Sequence, residues 1–142
     1  MPVIELDLLI GLISSFDKLH NTSKEIFEKI NSNEIKNIYI PSSVFMEYEL
    51  LLKSKKIKTP ELIRDIIHFK ALENIKEIPL NSSIIILAQK LRETNNLTYF
   101  DSLHCASAMH ADGIIISTDK DFKNIKNLKL MEPNTLPSRK EE

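Results

Sequence analysis

Apolar positions along the chain follow two spacings: short unbroken runs, and longer stretches in which they recur every third or fourth residue. Val3–Leu6 reads as a short opening strand. Leu8–Leu19 and Ser23–Ile30 carry helical spacing, the second opened by an Asn21/Thr22 cap signal and apolar at Ile26, Phe27 and Ile30. Asn37–Ile40 is a second strand closed by Pro41, and Ser42 or Ser43 is placed to cap a helix over Val44–Lys55. Pro60 suits the first turn of a helix over Glu61–Ala71, with Leu62, Ile63, Ile66, Ile67 and Phe69 on its apolar side. Lys76–Ile78 reads as a third strand. Helices follow over Ser82–Arg92 and Tyr99–Ala111, the latter ended by Gly113. Ile114–Ser117 and Leu128–Leu130 complete the strands.

Strands thus alternate with helices throughout. A run such as Ile114-Ile115-Ile116 has no polar side to show to water, which suits a parallel sheet covered on both faces. The expected fold is α/β: a three-layer α/β/α sandwich around a central, mostly parallel sheet. Residues 1–131 form the single domain, and 132–142, with two prolines and a charged end, read as a flexible tail.

Composition narrows the function. In 142 residues, 19 Lys and Arg face 20 Asp and Glu, a net charge of −1, so any surface for a polyanion must be local. The longest apolar run, Leu8–Ile13, falls far short of the roughly 18 residues of a membrane span. The opening residues lack a leader pattern, and the single cysteine excludes a disulfide framework or thiolate zinc cluster, so a cytoplasmic protein is expected. With only two glycines, no glycine-rich phosphate loop can be written.

The informative residues are acids at strand ends, where open parallel sheets bind their ligands. Glu5 and Asp7 follow the first strand, Glu47 lies in the helix after the second, Asp101 opens a late helix, and Asp119 and Asp121 follow Ile114–Ser117. Each has an ordinary structural use: Asp101 completes Thr98-Tyr99-Phe100-Asp101 at capping-box spacing, Glu47 suits a solvated helix face, and Asp119 and Asp121 suit a turn. Gathered in one place, such carboxylates would repel one another unless a cation neutralised them, and hard divalent ions favour oxygen ligands of this kind. A metal so held can activate water and clamp a phosphoryl group. Glu47, Asp101 and Asp119 are therefore expected within about 10 Å of one another, a span that one or two hydrated ions can bridge.

Three segments resemble the PIN domain family, in its small single-domain VapC-like form. They are Glu5-Leu6-Asp7-Leu8-Leu9-Ile10-Gly11-Leu12, Ile40-Pro41-Ser42-Ser43-Val44-Phe45-Met46-Glu47, and Leu97–Ala106 followed by Ile115–Phe122. The resemblance runs from about Val3 to Leu130. It implies a ribonuclease in which Glu5 or Asp7, Glu47, Asp101 and Asp119 hold Mg²⁺ or Mn²⁺, with Asp121 as a further candidate. It departs from the family at the first motif. Without a gap, Glu5 takes the place of the usual Asp; a two-residue gap would put Asp7 there instead. An RNA substrate, an antitoxin partner and a homodimer are likewise implied. The competing reading is a PIN-like scaffold that binds RNA or a protein without cleaving.

Other features are secondary. Thr118 could bind a phosphate or orient Asp119. Lys53, Lys55 and Lys56 form the densest basic stretch, either a solvated helix end or a phosphate track. His104 and His110 read as satisfied histidines before ligands, Cys105 as a small core residue, and Tyr99 and Phe100 as core or rim. Phe45, Tyr48, Leu52, Ile63, Ile67 and Phe69 are expected to share an exposed apolar patch suited to self-association or a partner.

Overall fold

The apolar runs that form strands are short, two to four residues each, and a helix or a turn follows closely on each. The computed structural model describes residues 2–135. Its elements are β1 (Val3–Ile4), α1 (Leu6–Ile13), α2 (His20–Asn31), β2 (Ile38–Pro41), α3 (Ser42–Ser54), α4 (Thr59–Lys70), β3 (Ile75–Ile78), α5 (Ser82–Asn95), α6 (Tyr99–His110), β4 (Ile114–Ile116) and β5 (Lys129–Met131). Short 3-10 turns lie at Lys120–Phe122 and Pro133–Thr135. The sheet order is β3-β2-β1-β4-β5, and every pairing is parallel.

Strand side chains alternate between faces, and that alternation divides the core in two. Ile4, Ile38, Ile40 and Ile116 pack against α1–α4, with Leu8, Leu9, Ile26, Phe27, Ile30, Tyr48 and Phe69. Val3 and Ile115 pack with Ile84, Ala88, Leu91, Leu103, Ala106 and Ala108 of α5 and α6. The expected sandwich is present. Cys105 packs in that second core as expected, and burial pushes its thiol up to about 12.

Several local expectations are corrected. Neither serine caps α3: Pro41 holds the cap position. Ser42 Oγ instead lies 2.8 Å from Glu77 Oε1 and 3.0 Å from the Ile78 carbonyl, tying the helix start to β3. The helix expected over Leu8–Leu19 stops at Ile13, because Ser14 turns extended and Asp17 Oδ1 accepts the Leu19 amide at 2.8 Å. α2 then starts at His20, with Leu19 rather than Asn21 or Thr22 at its cap. Of the expected apolar patch, Tyr48 and Phe69 are core residues in edge-to-face contact at 5.9 Å, and Phe45 and Leu52 are half-buried. Ile63 and Ile67 are exposed on α4, as are Met46 and Leu50 on α3 and Ile57 in the α3–α4 turn. Of residues 132–142, the described portion ends in the Pro133–Thr135 turn, with Pro133 buried; the rest lies outside the described residues.

The scarcity of glycine is made good by asparagine. Asn33, Asn37, Asn74, Asn96, Asn124 and Asn127 all take positive φ, as only Lys56 does among the other described non-glycine residues. Asn tolerates this region because its short amide bonds locally to the backbone. Gly113, at φ 78°, donates its amide to the Ala108 carbonyl at 2.9 Å and closes α6 as expected. Gly11 answers a different need. A Cβ there would lie 2.4 Å from Ser23 Oγ, so glycine lets α1 and α2 meet.

Candidate metal centre

The chain runs from β1 outward through β2 to β3, then returns to build β4 and β5 on the other side of β1. β1 and β4 therefore flank the point where the winding reverses, and the crevice beyond their carboxyl ends is where such sheets place ligands. Glu5 follows β1 and Ser117 follows β4. Glu5 sits at the cap of α1 in extended conformation, and its side chain makes no capping bond. Its Oε2 accepts the Ser117 hydroxyl at 2.7 Å, and Ser117 Oγ accepts the Asp119 amide at 2.9 Å. Asp119 Oδ1 accepts the Asp121 amide at 2.8 Å, fixing the turn that carries both acids.

Glu47 arrives from the second turn of α3. His104 Nε2 lies 3.2 Å from Glu47 Oε1, and His104 Nδ1 lies 2.8 Å from Ser43 Oγ. One ligand atom each from Glu5, Glu47 and His104 falls within a 4.8 Å cluster. Asp101, Asp119 and Asp121 form a second cluster of the same span. Thr98 caps α6 by accepting the Asp101 amide at 3.4 Å, so the capping pattern is real and presents the Asp101 carboxylate to the crevice as well. Asp101 and His104 stand three residues apart on one face of α6, which joins the two clusters.

Electrostatics shows the consequence of crowding. Burial, then the charges of Asp7 and Asp101, push the Glu5 carboxyl up to about 9, against the opposing Ser117 hydrogen bond. Asp101 is also raised, by burial foremost and by Asp119 and Glu47, with Thr98 and His104 pulling the other way. Among the described residues no Lys or Arg pairs with Glu5, Asp101, Asp119 or Asp121. Clustered oxygen donors of this kind, lacking a cationic side chain, fit a hard divalent cation.

The remaining expected residues divide. Asp7 stands in the first turn of α1, so the chain does not stay extended between it and Glu5. It belongs to neither cluster. Asp7 Oδ2 accepts from both the amide and the hydroxyl of Thr118, at 3.1 and 2.5 Å. Thr118 therefore orients Asp7; of the two roles open to it, orienting Asp119 falls to Ser117. Glu5, Asp7, Thr118 and Asp119 line an open cavity of about 410 Å³, completed by Ile10, Asp17, Lys18 and Leu19. Lys53 pairs with Glu49 at 2.6 Å one turn back along α3, and Lys55 and Lys56 are exposed at that helix's far end. Sequence reasoning missed Ser117 and the Ser43–His104 pair. The position of Ser117 at the end of the strand was the available signal for the first; in the second, His104 proves a satisfied histidine as expected, but nothing local paired it with Ser43.

The fold and this rim define a known class. The PIN domain family matches residues 8–128, and the chain belongs to it. No curated protein sequence gives a significant match. Among solved structures, the VapBC2 complex of Rickettsia felis bound to a promoter DNA fragment is similar over 92% of this chain and 96% of that one, with TM-score 0.69 and 18% identity. A toxin–antitoxin complex from Klebsiella pneumoniae is similar over 94% and 98%, with TM-score 0.67 and 19% identity. VapC20 of Mycobacterium tuberculosis, a sarcin–ricin loop cleaving toxin, is similar over 85% and 92%, with TM-score 0.69 and 11% identity. These likenesses concern the fold.

Proposed function

We propose that this PIN domain protein is a metal-dependent endoribonuclease and the toxin of a toxin–antitoxin pair. One observation carries the reading: Glu5, Glu47, Asp101, Asp119 and Asp121 meet at the switch point of a parallel sheet, and the two most buried of them have carboxyls pushed upward by crowding. The structural likeness to toxin–antitoxin complexes supports the setting. Glu5, rather than Asp7, supplies the first-motif ligand, because it joins the Glu47 and His104 cluster while Asp7 is engaged by Thr118.

Glu5, Glu47, Asp101, Asp119 and Asp121 would hold Mg²⁺ or Mn²⁺, which when bound would offset their charge and supply Lewis-acid activation of water. The side chains do the positioning. Ser117 orients Glu5 and the Asp119 turn, Thr98 fixes the start of α6 behind Asp101, and Asp7, held by Thr118, walls the cavity through which an RNA strand enters. Lys18 in that wall, and more remotely Lys53, Lys55 and Lys56, provide positive charge for the backbone. No helix among the described residues is long and apolar enough to cross a membrane. Cytoplasmic RNA is the substrate this reading implies. The domain takes in residues 1–131, and the exposed α3–α4 face with Leu50, Ile63 and Ile67 is where a second copy or an antitoxin docks.

The scaffold reading draws support from one feature. Glu5, with its carboxyl at about 9, holds a proton at neutral pH when no cation competes. The test is incubation with structured and single-stranded RNAs in Mn²⁺, Mg²⁺ or EDTA, comparing wild type with Asp101→Asn. Metal-dependent cleavage by wild type alone supports the enzyme. Equal residual cleavage by both proteins would mark a contaminant and leave the scaffold.

A further inference from the structure

We infer that His104 is a positioning residue for the metal centre: with Ser43 behind it, its ring holds the Glu47 carboxylate in place for the cation. The inference rests on the proposed metal site and adds to it a residue that is not itself one of the carboxylates.

The geometry carries it. His104 and Ser43 are both fully buried, 61 residues apart in sequence, and Ser43 Oγ lies 2.8 Å from His104 Nδ1. On the other side, Nε2 lies 3.2 Å from Glu47 Oε1, and Glu47 is only half-buried, so its carboxylate is the end of the array that reaches the crevice. The chemistry of the partners sets the direction of the bonds. An ionised carboxylate has acceptors only, so Nε2 must carry the proton it presents to Glu47. In the neutral ring Nδ1 is then an acceptor, satisfied by the Ser43 hydroxyl; in the imidazolium Nδ1 donates to Ser43 Oγ, and either form keeps the Nε2 proton directed at Glu47. The reverse tautomer would leave two acceptors facing each other at 3.2 Å. Phe100 stacks on the imidazole with centroids 6.2 Å apart and planes 25° from parallel, which fixes the ring plane.

Three side chains from two helices converge here. α3 contributes Ser43 near its start and Glu47 one turn later, and α6 inserts His104 alongside both. The two bonds tie Glu47 to the helix that carries Asp101, so the Glu5 cluster and the Asp101 cluster keep a fixed spacing. Because Nε2 is committed to Glu47, His104 acts through that carboxylate. Hydrogen-bonded partners of a metal-binding carboxylate typically change metal affinity 10- to 100-fold when removed, roughly the size expected here.

Two substitutions separate positioning from simple filling of the core. Gln places its amide nitrogen near the Nε2 position and keeps the bond to Glu47; Asn places it near Nδ1 and keeps only the Ser43 contact. His104→Gln and His104→Asn should melt at similar temperatures without metal. Titrated with Mn²⁺ by calorimetry, His104→Gln should stay within about threefold of wild type, while His104→Asn loses about 10- to 100-fold. The ¹⁵N shifts of the metal-free wild type should report the Nε2–H tautomer, and Ser43→Ala should weaken that preference. Equal Mn²⁺ affinities for the two variants, or a wild-type ring protonated at Nδ1 alone, would overturn the role of His104 and leave the carboxylate site standing. A wild type that binds no Mn²⁺ would instead remove the metal-site reading and this inference with it.

Discussion

The two acidic clusters at the carboxyl edge of the sheet are built by opposite means. The Glu5–Glu47–His104 cluster is dry and pinned, with Glu5 only 7% exposed and each member held by a side chain from another element. The Asp101–Asp119–Asp121 cluster is wetter, and its order comes from local turns: the Thr98 cap, and the Asp119 carboxylate accepting the Asp121 amide. Burial decides the difference. It drives the Glu5 carboxyl to about 9, whereas the Asp119 turn remains open to water along the cavity. A charge pattern acquires unusual chemistry only where the fold withdraws it from water. Lys53, Lys55 and Lys56, as conspicuous in sequence as the acids, stay exposed on a helix end.

Glu5→Gln should produce the largest effect. It keeps the shape, removes a buried carboxyl that neighbouring acids oppose, and removes a donor to the cation. We expect cleavage and the metal-induced rise in melting temperature to be lost, with metal-free stability unchanged or raised; Asp7→Asn should do much less. Were Asp7→Asn the more damaging, the first-motif assignment would reverse.

The pH dependence sharpens the contrast. Glu5 is raised from 4.5 to about 9 in the folded protein, so below pH 4.5 it is protonated in both states. Between those values folding takes up a proton, and the group's contribution to stability is lost progressively as pH rises toward 9. Metal-free denaturant titrations from pH 5 to 9 should therefore show falling stability in wild type and a shallower fall in Glu5→Gln. Identical slopes would mean that Glu5 ionises freely.

Within the wetter cluster, Asp119→Asn should weaken Mn²⁺ binding by at least about tenfold, since it removes the charge of a donor carboxylate while its amide oxygen can still accept the Asp121 amide. Asp121→Asn, at the exposed end, should cost less, and calorimetry on the pair would rank them. The smallest effect belongs to the triple replacement of Lys53, Lys55 and Lys56 by Ala. Stability should move by no more than about 0.5 kcal/mol per site and metal binding not at all, because the Lys53–Glu49 pair is a solvated one. Only the salt dependence of RNA binding should change.

Much of this architecture was legible in the residues. The Ile114–Ile116 run specified a buried parallel strand, and acids placed after strands specified the rim. Strand ends are local signals, and the winding rule turns them into a shared location. Burial of Tyr48 and Phe69 was not legible. Helical spacing shows that a face is apolar but not what covers it, and here α3 and α4 cover each other. The partners of Ser117, Ser43 and His104 were hidden for a related reason. Their roles lie in bonds of 2.7, 2.8 and 3.2 Å to residues 57 to 112 positions away, and small polar side chains carry no periodic signature. The glycine count also misled in one respect, since asparagine supplied the turns that glycine usually would.

The account stands or falls on whether the two clusters act together as one cation site. The direct measurement is the melting temperature of the metal-free wild type at pH 7.5, with and without Mn²⁺, beside Glu5→Gln and Asp119→Asn. With Mn²⁺ about a hundredfold above its Kd, a cation bound only to the folded state adds about 2.7 kcal/mol, on the order of 10 °C for a domain of this size. We predict a rise of that order for wild type, little or none for Glu5→Gln and no more than about half for Asp119→Asn, one variant being drawn from each cluster. A wild type whose melting temperature ignores Mn²⁺, or a rise that both variants retain in full, would contradict it.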